Sequence, residues 1–120
     1  MYTISKEYHF SASHILHGLA DDHPCSRLHG HNYIVEVELQ AEELNETGFV
    51  RDYRELDALK KYIDDEIDHR HLNDVLGENN TTAEQIAKHI YDWAKSRWEE
   101  VSAVRVRETP KTNAEYRPSK

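Results

Sequence analysis

The sequence is poor in cysteine and has neither a long apolar run nor a block of basic residues. A single cysteine cannot make an internal disulfide, so Cys25 is a packing residue, a metal ligand or a reactive thiol. No apolar stretch approaches the roughly 20 residues that span a bilayer, and the first residues do not resemble a signal peptide. We therefore expect a cytoplasmic protein that makes no membrane contact.

The charge balance is acidic, with 23 Asp and Glu against 15 Lys and Arg and a formal net charge of -8. The basic residues are scattered along the chain, so the overall field would repel a phosphate backbone. Direct nucleic-acid binding is therefore not expected. A small anionic substrate remains compatible with this charge, because a pocket responds to the few charges that line it.

The length of 120 residues fits one domain, which we place at residues 1–120. Its last segment, residues 110–120, is a polar tail that we expect to be loosely held. The mean hydropathy of -0.89 describes a very polar chain, and such a chain often needs an oligomer to complete its structure.

Hydrophobic periodicity predicts an α+β fold, in which an antiparallel sheet carries two helices. Strict alternation marks the strands, and spacings of three and four residues mark the helices. A long loop between the first two strands carries Cys25. The predicted elements are strands at 2–14, 32–40, 49–50 (Phe49–Val50) and 101–109, a helix capped by Asp52 that runs to Ile67, and a helix that starts near Thr81–Thr82 and ends before Val101.

Two histidines, His29 and His31, are separated by one glycine in an extended segment, so both point to the same side. His14 stands at the end of the first predicted strand. Three neutral imidazoles are a set that zinc uses when its fourth position stays open for water or substrate. The alternative is a chance pairing in a chain that contains nine histidines.

Cys25 admits two functional interpretations that predict different proteins. As a fourth ligand it would close a structural zinc site of one cysteine and three histidines. As a free thiolate it would act as a base, since nearby positive charge, including Arg27, favours the thiolate. The sequence alone leaves both open.

Two further positions carry candidate chemistry. Asp68 directly precedes His69 where the first helix should end, and a carboxylate can orient an imidazole; His71 is an equal candidate on sequence grounds, and a solvated helix end is the alternative. Glu108 shares a strand face with Val104 and Val106. A buried carboxylate there needs a partner, either an arginine or a heterocycle with two parallel N–H donors.

The order and spacing of several motifs resemble the 6-pyruvoyltetrahydropterin synthase family over nearly the whole chain. Three residues separate Cys25 from His29, a spacing similar to that of the 6-carboxytetrahydropterin synthase branch, whereas the biopterin branch has five. Ile15 and Thr81 depart from residues common in that family. The matching runs are Phe10-Ser-Ala-Ser-His14, Cys25-Ser-Arg-Leu-His29-Gly-His31, Gly48-Phe-Val-Arg-Asp52-Tyr, Asp68-His69-Arg-His-Leu72-Asn73, Thr82-Ala-Glu84 and Arg107-Glu108-Thr109.

The resemblance implies roles for the residues named above. It assigns zinc (Zn²⁺) to the three histidines, proton abstraction to Cys25, and proton relay to Asp68 with His69. It also places the pterin ring on Glu108. Thr82 is a further candidate for substrate binding, and Arg27 and Lys6 are candidates among the local cations for holding the triphosphate.

The resemblance also implies a fold, an assembly and a reaction. The fold is the tunnelling fold, in which antiparallel sheets form a trimeric β-barrel and two trimers stack into a homohexamer with active sites between subunits. The reaction converts 7,8-dihydroneopterin triphosphate and water to 6-carboxy-5,6,7,8-tetrahydropterin, acetaldehyde and triphosphate, for queuosine biosynthesis. The alternatives are a 6-pyruvoyltetrahydropterin synthase, a dihydroneopterin side-chain lyase, and a non-catalytic module stabilised by zinc.

Overall fold

A computed structural model of the chain describes residues 1–77 and 80–119. It contains one four-stranded antiparallel sheet with the order β1-β2-β3-β4, open in the single chain, and helices pack on one face. Within the described residues, no helix has the length and apolar character that crossing a bilayer requires. The elements are β1 Tyr2–His14, β2 His29–Ala41, α1 Asp57–Glu66, α2 Leu72–Leu76, α3 Ala83–Arg97, β3 Val101–Arg107 and β4 Ala114–Tyr116.

The two long strands β1 and β2 form a ladder that is paired along its whole length, from Tyr2 opposite Ala41 to His14 opposite His29. Alternate residues are buried from Tyr8 to His14 in β1 and from Tyr33 to Leu39 in β2, as the sequence pattern predicts, whereas Tyr2 at the start of β1 is exposed. At the open end of the ladder the same face carries histidines instead of apolar residues. The strand register therefore determines where the candidate site lies.

Both predicted caps form their hydrogen bonds, but α1 itself begins only at Asp57, beyond a turn that Asp52 caps. The carboxylate of Asp52 accepts a hydrogen bond from the Arg54 amide, and a 3₁₀ turn at Tyr53–Leu56 then leads into α1. The hydroxyl of Thr82 accepts from the Gln85 amide at the start of α3. The short helix α2 was not predicted, because five residues are too few to show a helical period.

The prediction of a short strand at Phe49–Val50 is wrong. Asn45 closes a turn there, since its side-chain oxygen accepts from the Thr47 and Phe49 amides. The fourth strand is instead β4, which lies in the segment expected to be a loosely held tail. It pairs with β3, with Tyr116 opposite Val104. The sheet thus has the predicted number of strands, but the last one is placed differently.

Ion pairs hold the end of the chain to the uncovered face of the sheet. Glu38 is 5% exposed and accepts from both Arg105, at 2.6 Å, and Arg117, at 2.7 Å. The Ser102 hydroxyl also donates to its carboxylate. The hydrogen bond from Arg117, followed by those from Ser102 and Arg105, lowers the pKa of Glu38 to about 2.

Glu38→Gln should destabilise the protein by about 3 kcal/mol at pH 7, because it removes the buried carboxylate that Arg105 and Arg117 share. The folded pKa of Glu38 lies below the unfolded value of roughly 4.3, so the contribution is complete above that value and is lost as the pH falls toward 2. Urea unfolding at pH 7 and at pH 3 checks this. Glu46→Gln, at an exposed glutamate, is the control. An equally stable Glu38→Gln variant at pH 7 would contradict the assignment.

Candidate metal centre and active site

The β1–β2 ladder brings three imidazoles together at its open end. His14 lies directly opposite His29 in the register, and His31 follows on the same face of β2. One ring nitrogen from each histidine lies within 4.8 Å of the others. His14 is buried and the other two are half-buried. These three side chains are able to hold a metal ion.

The Nδ1 atoms of two of these rings act as hydrogen-bond donors. His14 Nδ1 donates to the carbonyl oxygen of Thr81 at 2.8 Å, and His29 Nδ1 donates to that of Arg27 at 2.7 Å. A carbonyl only accepts, so the proton of each neutral ring lies on Nδ1 and a lone pair lies on Nε2. The two Nε2 atoms face each other at 2.8 Å. A cation bound by both nitrogens, either a metal ion or a proton, would relieve this repulsion between lone pairs.

The third histidine fits the same interpretation. His31 Nε2 is buried and has no hydrogen-bond partner within the described residues. An unpartnered buried nitrogen is costly unless it binds something. Burial lowers the pKa of His14, which favours the neutral ring that binds a metal. Three neutral imidazoles with an open fourth position suit zinc.

Gly30 separates His29 from His31, and a larger residue in its place would crowd β1. A Cβ atom at this position would lie 3.3 Å from the carbonyl oxygen of Ala12, which is closer than ordinary packing allows. The glycine thus keeps the ladder tight between His29 and His31. This supports the sequence interpretation that the backbone crowds close here.

Cys25 lies in a loop that is hydrogen-bonded to the end of β1, outside the group of ligand atoms. Its carbonyl accepts from the Leu16 amide at 2.9 Å, which fixes the loop next to the end of β1. His23 Nδ1 accepts from the Cys25 amide in the 3₁₀ turn at Pro24–Ser26. The thiol is half-buried. The side chains close enough together to hold a metal ion, here called the metal-competent set, are the three histidines and do not include Cys25. This placement suits a base more than a fourth ligand.

Asp68 and His69 form the predicted pair, held on the free edge of β1. Asp68 Oδ1 accepts from the Ser11 amide, and its Oδ2 lies 2.9 Å from His69 Nδ1. Neighbouring residues face each other here because α1 has ended and His69 has a left-handed φ of 59°. The Ser11 amide, and then the His69 ring, lower the pKa of Asp68. The His69 side chain is 82% exposed, so it faces outward in the single chain.

Glu108 follows β3 and lies at the metal site. Its Oε2 is 3.8 Å from His31 Nε2, and within the described part of the chain its ion-pair partner is this histidine rather than an arginine. The carboxylate also borders a cleft of about 460 Å³. The sequence predicted only some of the residues that line this cleft. No motif or period marked the newly found positions. The principal lining residues are Leu16, Thr82, Glu84, Val106, Glu108 and Asn113.

The two cations suggested for the triphosphate are not brought to the histidines in one chain. Lys6 Nζ is 2.8 Å from Asp57, and Lys6 lies eight residues before His14, or about 26 Å along an extended strand. Arg27 is exposed, and only its backbone carbonyl contacts the site. Their roles in binding stay predictions.

Comparisons with known proteins identify relatives that match nearly the whole chain. A Bacillus subtilis protein named 6-carboxy-5,6,7,8-tetrahydropterin synthase is 32% identical, over 99% of this chain and 87% of its own length. A Haemophilus influenzae protein of the same name is also 32% identical, over 97% of this chain and 99% of its own. The prediction that this chain is an enzyme with a lyase role is confirmed.

Solved structures confirm the predicted fold. The 6-pyruvoyl tetrahydropterin synthase of Caenorhabditis elegans superposes with a TM-score of 0.87 at 29% identity, over 98% of this chain and 96% of its own. The Plasmodium falciparum enzyme of the same name, at 17% identity, shares the fold with a TM-score of 0.77 over 98% of this chain and 97% of its own. The family model for 6-pyruvoyl tetrahydropterin synthase matches residues 3–119. The chain belongs to the 6-pyruvoyl tetrahydropterin synthase family.

Proposed function

We propose that this protein is a zinc lyase that converts 7,8-dihydroneopterin triphosphate and water to 6-carboxy-5,6,7,8-tetrahydropterin, acetaldehyde and triphosphate. The names of the relatives and the three residues between Cys25 and His29 support this branch of the family. The observation that carries the metal is the facing pair of Nε2 atoms of His14 and His29. The product is proposed to enter queuosine biosynthesis in the cytoplasm.

The three histidines would hold zinc through Nε2, and the fourth position stays open toward substrate. Bound zinc supplies Lewis acidity that polarises side-chain oxygens and makes the adjacent C–H more acidic. Cys25, held at the open end of the ladder, removes that proton as a thiolate. Its carbonyl bond to Leu16 keeps the loop in place while the thiol remains free to react.

Glu108 and Thr82 are proposed to orient the pterin ring in the cleft that they line. A carboxylate accepts two parallel N–H donors from a guanidine-like heterocycle with good geometry. Among the described residues, no arginine pairs with Glu108, so its carboxylate is free for this role. Because Glu108 also approaches His31, a bound ring would lie next to the metal.

The pair Asp68–His69 is proposed to return protons, and it does so across a subunit boundary. In one chain this pair is attached to the outer edge of β1, with His69 exposed, whereas the three metal ligands lie on the helix-covered face. A neighbouring copy would bring its own pair to the site in a homohexamer.

Mixing inactive Cys25→Ala and His69→Gln subunits after dissociation should then restore part of the activity. Mixtures that stay inactive would contradict shared sites.

The deciding experiment is product analysis with purified, zinc-loaded protein and 7,8-dihydroneopterin triphosphate. We expect acetaldehyde and a pterin with the mass of the 6-carboxy compound. Retention of all side-chain carbons, with loss of triphosphate alone, would instead identify a 6-pyruvoyltetrahydropterin synthase, the name carried by the Caenorhabditis elegans protein. Formation of neither product would sink the proposal and leave the dihydroneopterin side-chain lyase or the non-catalytic zinc module.

Different partners of the two candidate histidines support His69, rather than His71, as the proton relay. His69 has Asp68 as its partner, whereas His71 Nδ1 contacts the Ser13 hydroxyl at 3.0 Å. We expect His69→Gln to lower kcat by about 100-fold, the scale of a lost acid or base, and to leave zinc binding unchanged. His71→Gln is the matched control and should lose much less. Equal losses in the two variants, measured by steady-state acetaldehyde release, would contradict the assignment.

A further inference from the structure

His14 is the last residue of β1 that pairs with β2, so this metal ligand lies at the end of a ladder. Its partner is His29, and the next residue, Ile15, is outside the paired register. Backbone at a strand end frays unless other groups take its hydrogen bonds. The position of the His14 ring therefore depends on what holds Ile15.

The side chain of Asn73 takes both backbone groups of Ile15. Its Oδ1 accepts from the Ile15 amide at 3.0 Å, and its Nδ2 donates to the Ile15 carbonyl at 2.9 Å. A carboxamide offers one acceptor beside two donors, so it replaces a neighbouring strand at this position. The contact extends the edge of β1, where the backbone amide of Ser13 donates to the carbonyl oxygen of Arg70.

The same Asn73 oxygen also reaches the residue that fixes the His14 tautomer. The Thr81 hydroxyl points to Asn73 Oδ1 at 3.5 Å, and Thr81 is fully buried. The carbonyl of Thr81 accepts from His14 Nδ1 at 2.8 Å. Asn73 thus contacts both the backbone beside His14 and the residue that orients its ring.

We infer that Asn73 is a positioning residue that holds His14 in its metal-binding orientation before the metal arrives. The inference rests on the metal site of the proposed function and is independent of the pterin chemistry. Groups that orient a ligating histidine typically change metal affinity 10–100-fold. We therefore expect Asn73→Ala to weaken zinc binding by about 10–100-fold in competition with a chromogenic chelator.

Two control variants separate positioning from general destabilisation. Ile63→Val trims a residue of the helix core that is 1% exposed, and should lower the Tm of the metal-free protein without changing zinc affinity. Asn80→Ala removes the same pair of backbone hydrogen bonds from His17, which lies three residues beyond His14. It should weaken zinc binding less than Asn73→Ala. An unchanged affinity in Asn73→Ala, or an equal loss in Ile63→Val, would overturn the inference.

Hydrogen–deuterium exchange on the wild-type protein tests the same point without a variant that must fold. The peptide that contains Ile15 should be protected to the same extent before and after zinc is added, because Asn73 already binds its amide. Protection that develops only with zinc would show that the metal orders the strand end, and would overturn the inference. Zinc affinity and exchange do not involve substrate, so both can be judged even if no acetaldehyde is released.

Discussion

His14→Ala is expected to weaken zinc binding by more than the ~100-fold cost of losing an outer-shell partner, because it removes a ligand outright. His14 is the most buried of the three imidazoles, and its Nε2 atom faces that of His29 at 2.8 Å. Acetaldehyde release should fall to background, since no other described residue joins the metal-competent set. Chelator competition measures the affinity, and elemental analysis measures the zinc retained after dialysis.

A matched control for His14 is another partly buried histidine outside the site. His89 hydrogen-bonds the hydroxyl of Tyr62 at 2.8 Å, on the helical side of the protein. His89→Ala should keep both zinc and turnover. If His14→Ala bound zinc as tightly as wild type, the three-histidine centre would be incorrect.

Cys25→Ala is expected to keep zinc and to lower kcat by a factor of about 1,000, within the range that a positioned base contributes. The reason is geometric, because the backbone of Cys25 is hydrogen-bonded to Leu16, two residues beyond His14, while the metal-competent set is complete without the thiol. Cys25→Ser should be almost as slow, since a hydroxyl is a far weaker base than a thiolate at neutral pH. Metal content and single-turnover rates measure the two effects separately.

The alternative of a structural site with four protein ligands predicts a different result. Cys25→Ala would then lose zinc and stability together, because structural zinc contributes folding energy. His17→Ala, at an exposed position of the same loop, should keep zinc and turnover under either interpretation. Loss of zinc from Cys25→Ala alone would therefore identify Cys25 as a ligand.

The clustering of the three histidines could be predicted because it follows from strand parity, a local property. Alternation along β1 and β2 places His14, His29 and His31 on one face, and the structure has them there. The caps at Asp52 and Thr82 were predictable for the same reason, since each depends on residues no more than three positions away.

What the sequence could not predict depends on contacts between distant residues. The strand β4 has only three residues in a polar segment, and it is fixed by pairing with β3 and by the ion pair between Arg117 and Glu38. The side chains of Asp68 and His69 face each other only because His69 has a left-handed backbone conformation. No local feature of the sequence indicates that conformation. The contact of Asn73 with Ile15 joins residues 58 positions apart. The strand β4, the Asp68–His69 pair and the Asn73–Ile15 contact all depend on tertiary packing.

The most direct test of the metal centre is X-ray absorption spectroscopy at the zinc edge of the wild-type protein. We expect a first shell of nitrogen and oxygen only, at about 2.0–2.1 Å, from three imidazoles and one exchangeable light atom. Outer-shell scattering should correspond to three histidine rings. A sulfur scatterer at about 2.3 Å would contradict the account, because it would place Cys25 on the metal and leave the site without its proposed base.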